Sequence, residues 1–163
     1  MSRGKASTLI PACAAAVTVF GSTLAVVPAH ADGGDWGGAL LNQINATRAA
    51  NGCGPVAANP PLTAAAARQA NDMLANGVVN HTGSDGSSVV QRVTDAGYAP
   101  YSKLGEVIFW GTGLGGVPAA AVDWWMNSPG HRAIITDCGM TDAGFSLVSS
   151  GDRVAAAGDF AKK

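Results

Sequence analysis

Glutamate, histidine, cysteine and runs of like charge are all scarce in this chain, and each scarcity narrows what it can do. Glu106 is the single glutamate among 11 acidic residues, and the histidines are three, His30, His81 and His131. Ten lysines and arginines leave a formal net charge of −1, and the only adjacent basic pair is Lys162-Lys163. Without a basic patch to neutralise phosphates, nucleic-acid binding has no electrostatic support. Past residue 31 there is no long apolar run, so nothing there is expected to span a bilayer. Neither G-x-S-x-G nor H-E-x-x-H occurs, which removes two common hydrolase signatures. No internal repeat or low-complexity linker divides the chain.

What is present begins with an export pattern. Arg3 and Lys5 precede an uncharged stretch from Ala6 to His30, which ends in Pro28-Ala29-His30-Ala31. A positive start, an apolar middle and an A-x-A end read as a signal peptide over residues 1–31, leaving a mature domain at 32–163. Pro11, Gly21 and Pro28 interrupt the stretch and argue against a retained anchor. The mature protein is therefore expected outside the cell, as a monomer. Cys13 leaves with the signal, so Cys53 and Cys138 remain as a pair that an oxidising compartment would join. Closing so long a loop restricts the unfolded chain by about 4 kcal/mol at most.

Helical patterns come first along the mature chain. Leu40, Leu41, Ile44 and Thr47 recur at helical spacing up to Asn51-Gly52. A second helix is expected from Leu62 to Asn76, closed by Gly77, and a third from Ser87 as N-cap to Gly97. Leu104–Trp110 is β-rich. Val117–Asn127 reads as a largely buried helix and Ser128-Pro129 opens another helical turn. Ala143–Val148 and Val154–Phe160 read as a terminal hairpin through Ser149–Asp152. Helices followed by strands imply an α+β domain with helices packed on a mainly antiparallel sheet.

Three side chains stand out as candidates for chemistry. Glu106 lies in an apolar strand, on one face with Leu104, Ile108 and Trp110, and a carboxylate there needs a partner or a cleft edge. His131 follows Ser128-Pro129-Gly130 as the third helical residue, where the helix dipole favours a neutral ring. His81 sits in the polar loop Asn80–Gly86. Each residue also has a purely structural explanation, and their spacing matches no local metal motif.

Four segments, in order, resemble the CAP family of cysteine-rich secretory (SCP-like) domains. Leu41–Gly52 is similar to its first helix with N-x-x-R, here Asn45 to Arg48, and Asn80-His81-Thr82 to the loop carrying a cleft histidine. Gly105-Glu106-Val107 resembles its Gly-Glu-Asn turn into a strand, and Trp125–Arg132 resembles the bacterial W-M-x-S-P-G-H-R signature. The resemblance implies a three-layer α/β/α sandwich with His81 and Glu106 in a shared cleft, which binds divalent metal in some relatives. It also places His131 and Ser128 near that cleft, with His81 and His131 as metal ligands for an ion such as zinc. Three departures weaken the match: Val107 replaces the family's asparagine, the family's second glutamate falls near Ser128, and its Gly-His-aromatic-Thr-Gln segment has no counterpart in Val154–Phe160. Three functions compete. One is a secreted binding module for a small molecule, lipid, peptide or cell-wall component. The others are a metal-assisted hydrolase with Glu106 as general base, and a structural protein whose polar triad locks loops together.

Overall fold

A computed structural model describes Met1 and residues 35–113 and 117–163. The expected signal segment and most of the glycine-rich turn before the fourth helix lie outside the described residues. Among the described residues five helices and four strands follow one another as α1 (Trp36–Ala50), β1 (Ala57–Ala58), α2 (Pro60–Asn76), α3 (Val89–Asp95), β2 (Lys103–Thr112), α4 (Val117–Asn127), α5 (Pro129–Ile135), β3 (Asp142–Ser150) and β4 (Arg153–Lys162). Among the described residues no helix is long and apolar enough to cross a membrane.

The helix ends follow local chemistry. Asp35 caps α1 by accepting from the Gly38 N–H, one turn ahead of the first apolar repeat seen in the sequence. Asn59 precedes the two prolines that open α2, and Gly77 closes that helix at φ 67°, where a side chain would be strained. The third helix is capped by Ser88 rather than Ser87. The Ser88 hydroxyl accepts from the Gln91 N–H, whereas Ser87 is buried with its carbonyl turned to Arg92.

The strands form one sheet in the order β1-β3-β4-β2. The long pairings, β2–β4 and β3–β4, are antiparallel, and the short β1–β3 pairing is parallel. The sheet is therefore mixed: both long ladders are antiparallel, as the sequence suggested, and one short parallel pairing joins them at the β1 edge. The cause is local: Pro60-Pro61 turn the chain into α2 directly after Ala57-Ala58, leaving two residues to pair and no hairpin to reverse them.

Strand periodicity sorts the core into two layers and yields the α/β/α sandwich. Val107, Phe145, Leu147, Val154, Ala156 and Phe160 pack against α1, α4 and α5. Ile108, Ala155, Ala157 and Ala161 face α2 and α3. The second face is lined by small residues, so α2 can approach closely. A Cβ on Gly144 would lie 2.0 Å from the Thr63 nitrogen, so only glycine fits where α2 begins. Glu106 belongs to this second face, and the register places Asp159 directly opposite it on β4.

At the far end of the first layer, Cys53 and Cys138 are joined as a disulfide, with 4.8 Å between their Cα atoms. This bridge, expected from the cysteine count, ties the turn after α1 to the segment between α5 and β3.

Candidate functional site

The loop that carries His81 is held from several sides. Asp72 on α2 accepts from the Ser84 N–H at 2.8 Å and from its hydroxyl, and Asp85 accepts from the Ser87 N–H at 2.8 Å. Arg68 bridges Asp85 and Asp95 at the exposed rim. Deeper, the buried Gln69 amide donates to the Asn80 carbonyl at 2.5 Å, and the Arg92 guanidinium donates to the His81 carbonyl at 3.0 Å. A polar loop is thus fixed through its own backbone, which sets where the His81 ring can point.

The ring itself is fixed by Glu106. His81 Nδ1–H donates to Glu106 Oε1 at 2.8 Å, while Arg92 Nη2 donates to Glu106 Oε2 at 2.6 Å. The Glu106 and Arg92 side chains are 1% and 0% exposed, whereas that of His81 is 52% exposed. The carboxylate is therefore charge-paired in the interior and offers its second oxygen outward to one imidazole. With Nδ1–H committed, the Nε2 of a neutral His81 ring is an acceptor available to a ligand.

His131 reaches the same place from α5. Its ring centroid lies 6.1 Å from that of His81 and 5.1 Å from that of Trp124 on α4. Burial, and secondarily the nearby His81, push the His131 pKa down, so the ring is neutral at pH 7. The sequence pointed to the helix dipole for this neutrality; burial and the second imidazole act in the same direction. Its Nδ1 is buried without a hydrogen-bond partner. Ser128 occupies the N-cap position of α5, but its hydroxyl makes no cap bond. The structure thus brings His81, Glu106 and His131 together, and Ser128 stands at the start of α5, three residues before His131. A separate hollow of about 520 Å³ lies elsewhere, between the start of α1 and β3, lined by residues such as Trp36, Leu41, Thr63 and Phe145 and by neither of these histidines.

Residues 41–160 match the model of the cysteine-rich secretory protein (CAP) family. The chain belongs to the CAP family. Solved structures with the same fold include an outer surface protein of Borrelia burgdorferi, 19% identical with a TM-score of 0.68, covering 77% of this chain and 91% of that one. An extracellular protein of Bacillus anthracis containing an SCP domain is also 19% identical, with a TM-score of 0.65, over 78% of this chain and 40% of its own. A cysteine-rich secretory protein of Staphylococcus aureus is 19% identical with a TM-score of 0.59, over 78% of this chain and 38% of its own. This chain therefore spans about two fifths of the length of the latter two. No curated protein matches it.

Within this CAP domain the departures from the family pattern acquire a physical reading. Val107 stands where an asparagine could have steadied the glutamate, and it points to the opposite face, into the core with Phe145 and Trp125. Arg92 takes over the steadying. No local pattern pointed to this, because Arg92 lies in a short helix that reads as amphipathic. Asp159 was legible: like Glu106, it is a lone acid in an apolar strand. It is fully buried, and neither of its oxygens has a hydrogen-bond partner.

Burial, and then the charge on Glu106, raise the Asp159 pKa well above the ordinary range, with Arg92 opposing. A neutral Asp159 leaves the Glu106–Arg92 pair charge-balanced. Since the folded state keeps this proton longer than the unfolded chain, stability falls as pH rises from about 4 towards the raised value, by at most about 1.4 kcal/mol per pH unit. Asp159→Asn is expected to abolish that fall and to unfold at higher denaturant at pH 7–8. Urea titrations across pH 5–8 check it, and an Asn variant less stable at pH 8 would show instead that a charged Asp159 supports the fold.

Proposed function

We propose that the protein is an exported binding module whose His81 and His131 rings together take a divalent cation. The export pattern of residues 1–31 and the extracellular character of the Bacillus relative support the location. The spacing of the rings carries the metal reading. Two imidazoles sharing one tetrahedral zinc at ordinary Zn–N distances have centroids about 5 Å apart, and here they stand 6.1 Å apart, so binding would draw the rings about 1 Å closer. The donors suit the ion: His131 is neutral with an unpartnered ring nitrogen, and His81 is backed by a carboxylate on its other nitrogen. A carboxylate behind a ligating histidine fixes its tautomer and raises its basicity.

Glu106 would serve as that backing, not as a ligand. Both its oxygens are committed, and among the described residues no three His, Cys, Asp or Glu side chains gather around one point. A two-histidine site leaves most coordination positions open, so affinity should be modest and a further ligand could complete the shell. The same commitment of both oxygens disfavours Glu106 as a general base, which ranks the hydrolase reading below the binding one.

Calorimetry with zinc is the test. The wild type is expected to give a saturable heat, and a His81→Ala, His131→Ala variant none. Glu106→Gln should bind about 10–100-fold more weakly, by loss of the backing charge. Equal heats for the wild type and the double-histidine variant would end the metal reading. Cleft variants that lost melting temperature and no binding would favour the purely structural role.

A further inference from the structure

Beside the paired imidazoles stands a residue that the metal reading does not use. Trp124 is 50% exposed and is the only exposed Phe, Tyr or Trp among the described residues. It is not a loose surface ring. Phe109 of β2 meets it edge-on at 6.1 Å, at an interplanar angle of 71°, and His131 lies against it at 5.1 Å. Phe109, Trp124, His131 and His81 thus form a continuous row of rings from four different elements, ending at the exposed imidazole that Glu106 holds. A rigid indole that keeps half its surface in water offers a flat apolar contact at little conformational cost.

We infer that Trp124 is a stacking platform for a neutral saccharide ring, whose rim hydroxyl or acetamido groups meet His131 and His81. This rests on the reading of those two rings as ligand-facing. The chemistry beside the indole selects the occupant. A hydrocarbon tail needs a continuous apolar groove, whereas the ring neighbours here are imidazoles on one side and the edge of Phe109 on the other. An ionic ligand needs a net field. Asp123 and Arg132, the exposed charges next to Trp124 and His131 in the chain, are of opposite sign, and Glu106 is already paired with Arg92. A pyranose has what remains to be matched: an apolar C–H face for the indole and a rim of hydroxyls for the imidazole nitrogens, including the His81 nitrogen not bonded to Glu106.

The experiment uses the exported protein and two probes that share this chemistry, a soluble tetramer of N-acetylglucosamine and purified bacterial peptidoglycan. Binding of the tetramer is followed by tryptophan fluorescence and calorimetry, and binding of peptidoglycan by cosedimentation. The wild type is expected to bind at least one probe, and which one identifies the source as a free amino-sugar polymer or the wall itself. Trp124→Ala should weaken that binding about tenfold, and Trp124→Phe should retain most of it. Trp124→Phe should keep the wild-type melting temperature and zinc heat, and Trp124→Ala is compared at a temperature where it is fully folded, so loss of sugar binding cannot be mistaken for loss of the fold. Binding of neither probe, or equal binding by the wild type and Trp124→Ala, would overturn the inference. Sugar binding that survives in a protein giving no zinc heat would uphold the platform while ending the metal reading.

Discussion

Replacing Arg92 by Met is expected to cost about 3–5 kcal/mol of stability, because it strands a buried carboxylate. The side chains of Arg92 and Glu106 are 0% and 1% exposed and meet at 2.6 Å. Burying two charges as a pair is roughly neutral, but burying one alone is not. The guanidinium also donates to the Ser87 carbonyl at 2.8 Å and to the His81 carbonyl at 3.0 Å, so the loop should loosen as well. Adding Glu106→Gln to Arg92→Met should recover part of the loss, since the stranded charge is then gone. Urea unfolding of the two single variants and the double variant gives the coupling energy. A cost under about 1 kcal/mol for Arg92→Met would show that something other than this pair holds Glu106 in the interior.

The second large effect is expected at Arg48, at the opposite end of α5 from His131. Its fully buried guanidinium donates to four backbone carbonyls, those of Gly54 at 2.9 Å, Ile135 at 2.7 Å, Asp137 at 3.0 Å and Met140 at 3.0 Å. Arg48→Met leaves those acceptors in the interior with nothing to bond, at a cost of about 3–5 kcal/mol. Arg48→Lys should recover little, since an ammonium cannot reproduce the planar fork. Gly54 and Asp137 are neighbours of Cys53 and Cys138, so the guanidinium and the disulfide secure the same junction. The two should not act additively: once the bridge is reduced, Arg48→Met should cost more than it does in the oxidised protein. Denaturant titrations with and without reductant check this, and equal costs in both states would show that the two supports are independent.

How much of this was legible in the sequence depended on the range over which each feature is determined. Helices and long strands follow from local periodicity and caps, so Leu62–Asn76, Val117–Asn127 and the terminal hairpin fall close to where the pattern placed them. The two-residue strand β1 has no period to detect and exists only because β3 passes beside it. Glu106 announced itself as a lone acid in an apolar strand, and Asp159 carried the same signal in β4. Arg48 could be singled out only through a family motif, and Arg92 not at all. The pairing of an Arg on α3 with a Glu on the following strand is set by how α3 lies on the sheet, which no local pattern encodes. His131 was placed by its motif, but its closeness to His81 depends on the packing of α5 beside the α2–α3 loop.

The central claim, that His81 and His131 face one another as a pair ready for a shared ligand, is tested most directly by NMR of the imidazole nitrogens during a zinc titration. The two rings should shift together, saturate at the same zinc concentration, and show the metal at Nε2 of His81, with Nδ1–H still bonded to Glu106. Separate saturation of the two rings, or a response from His81 alone, would contradict it.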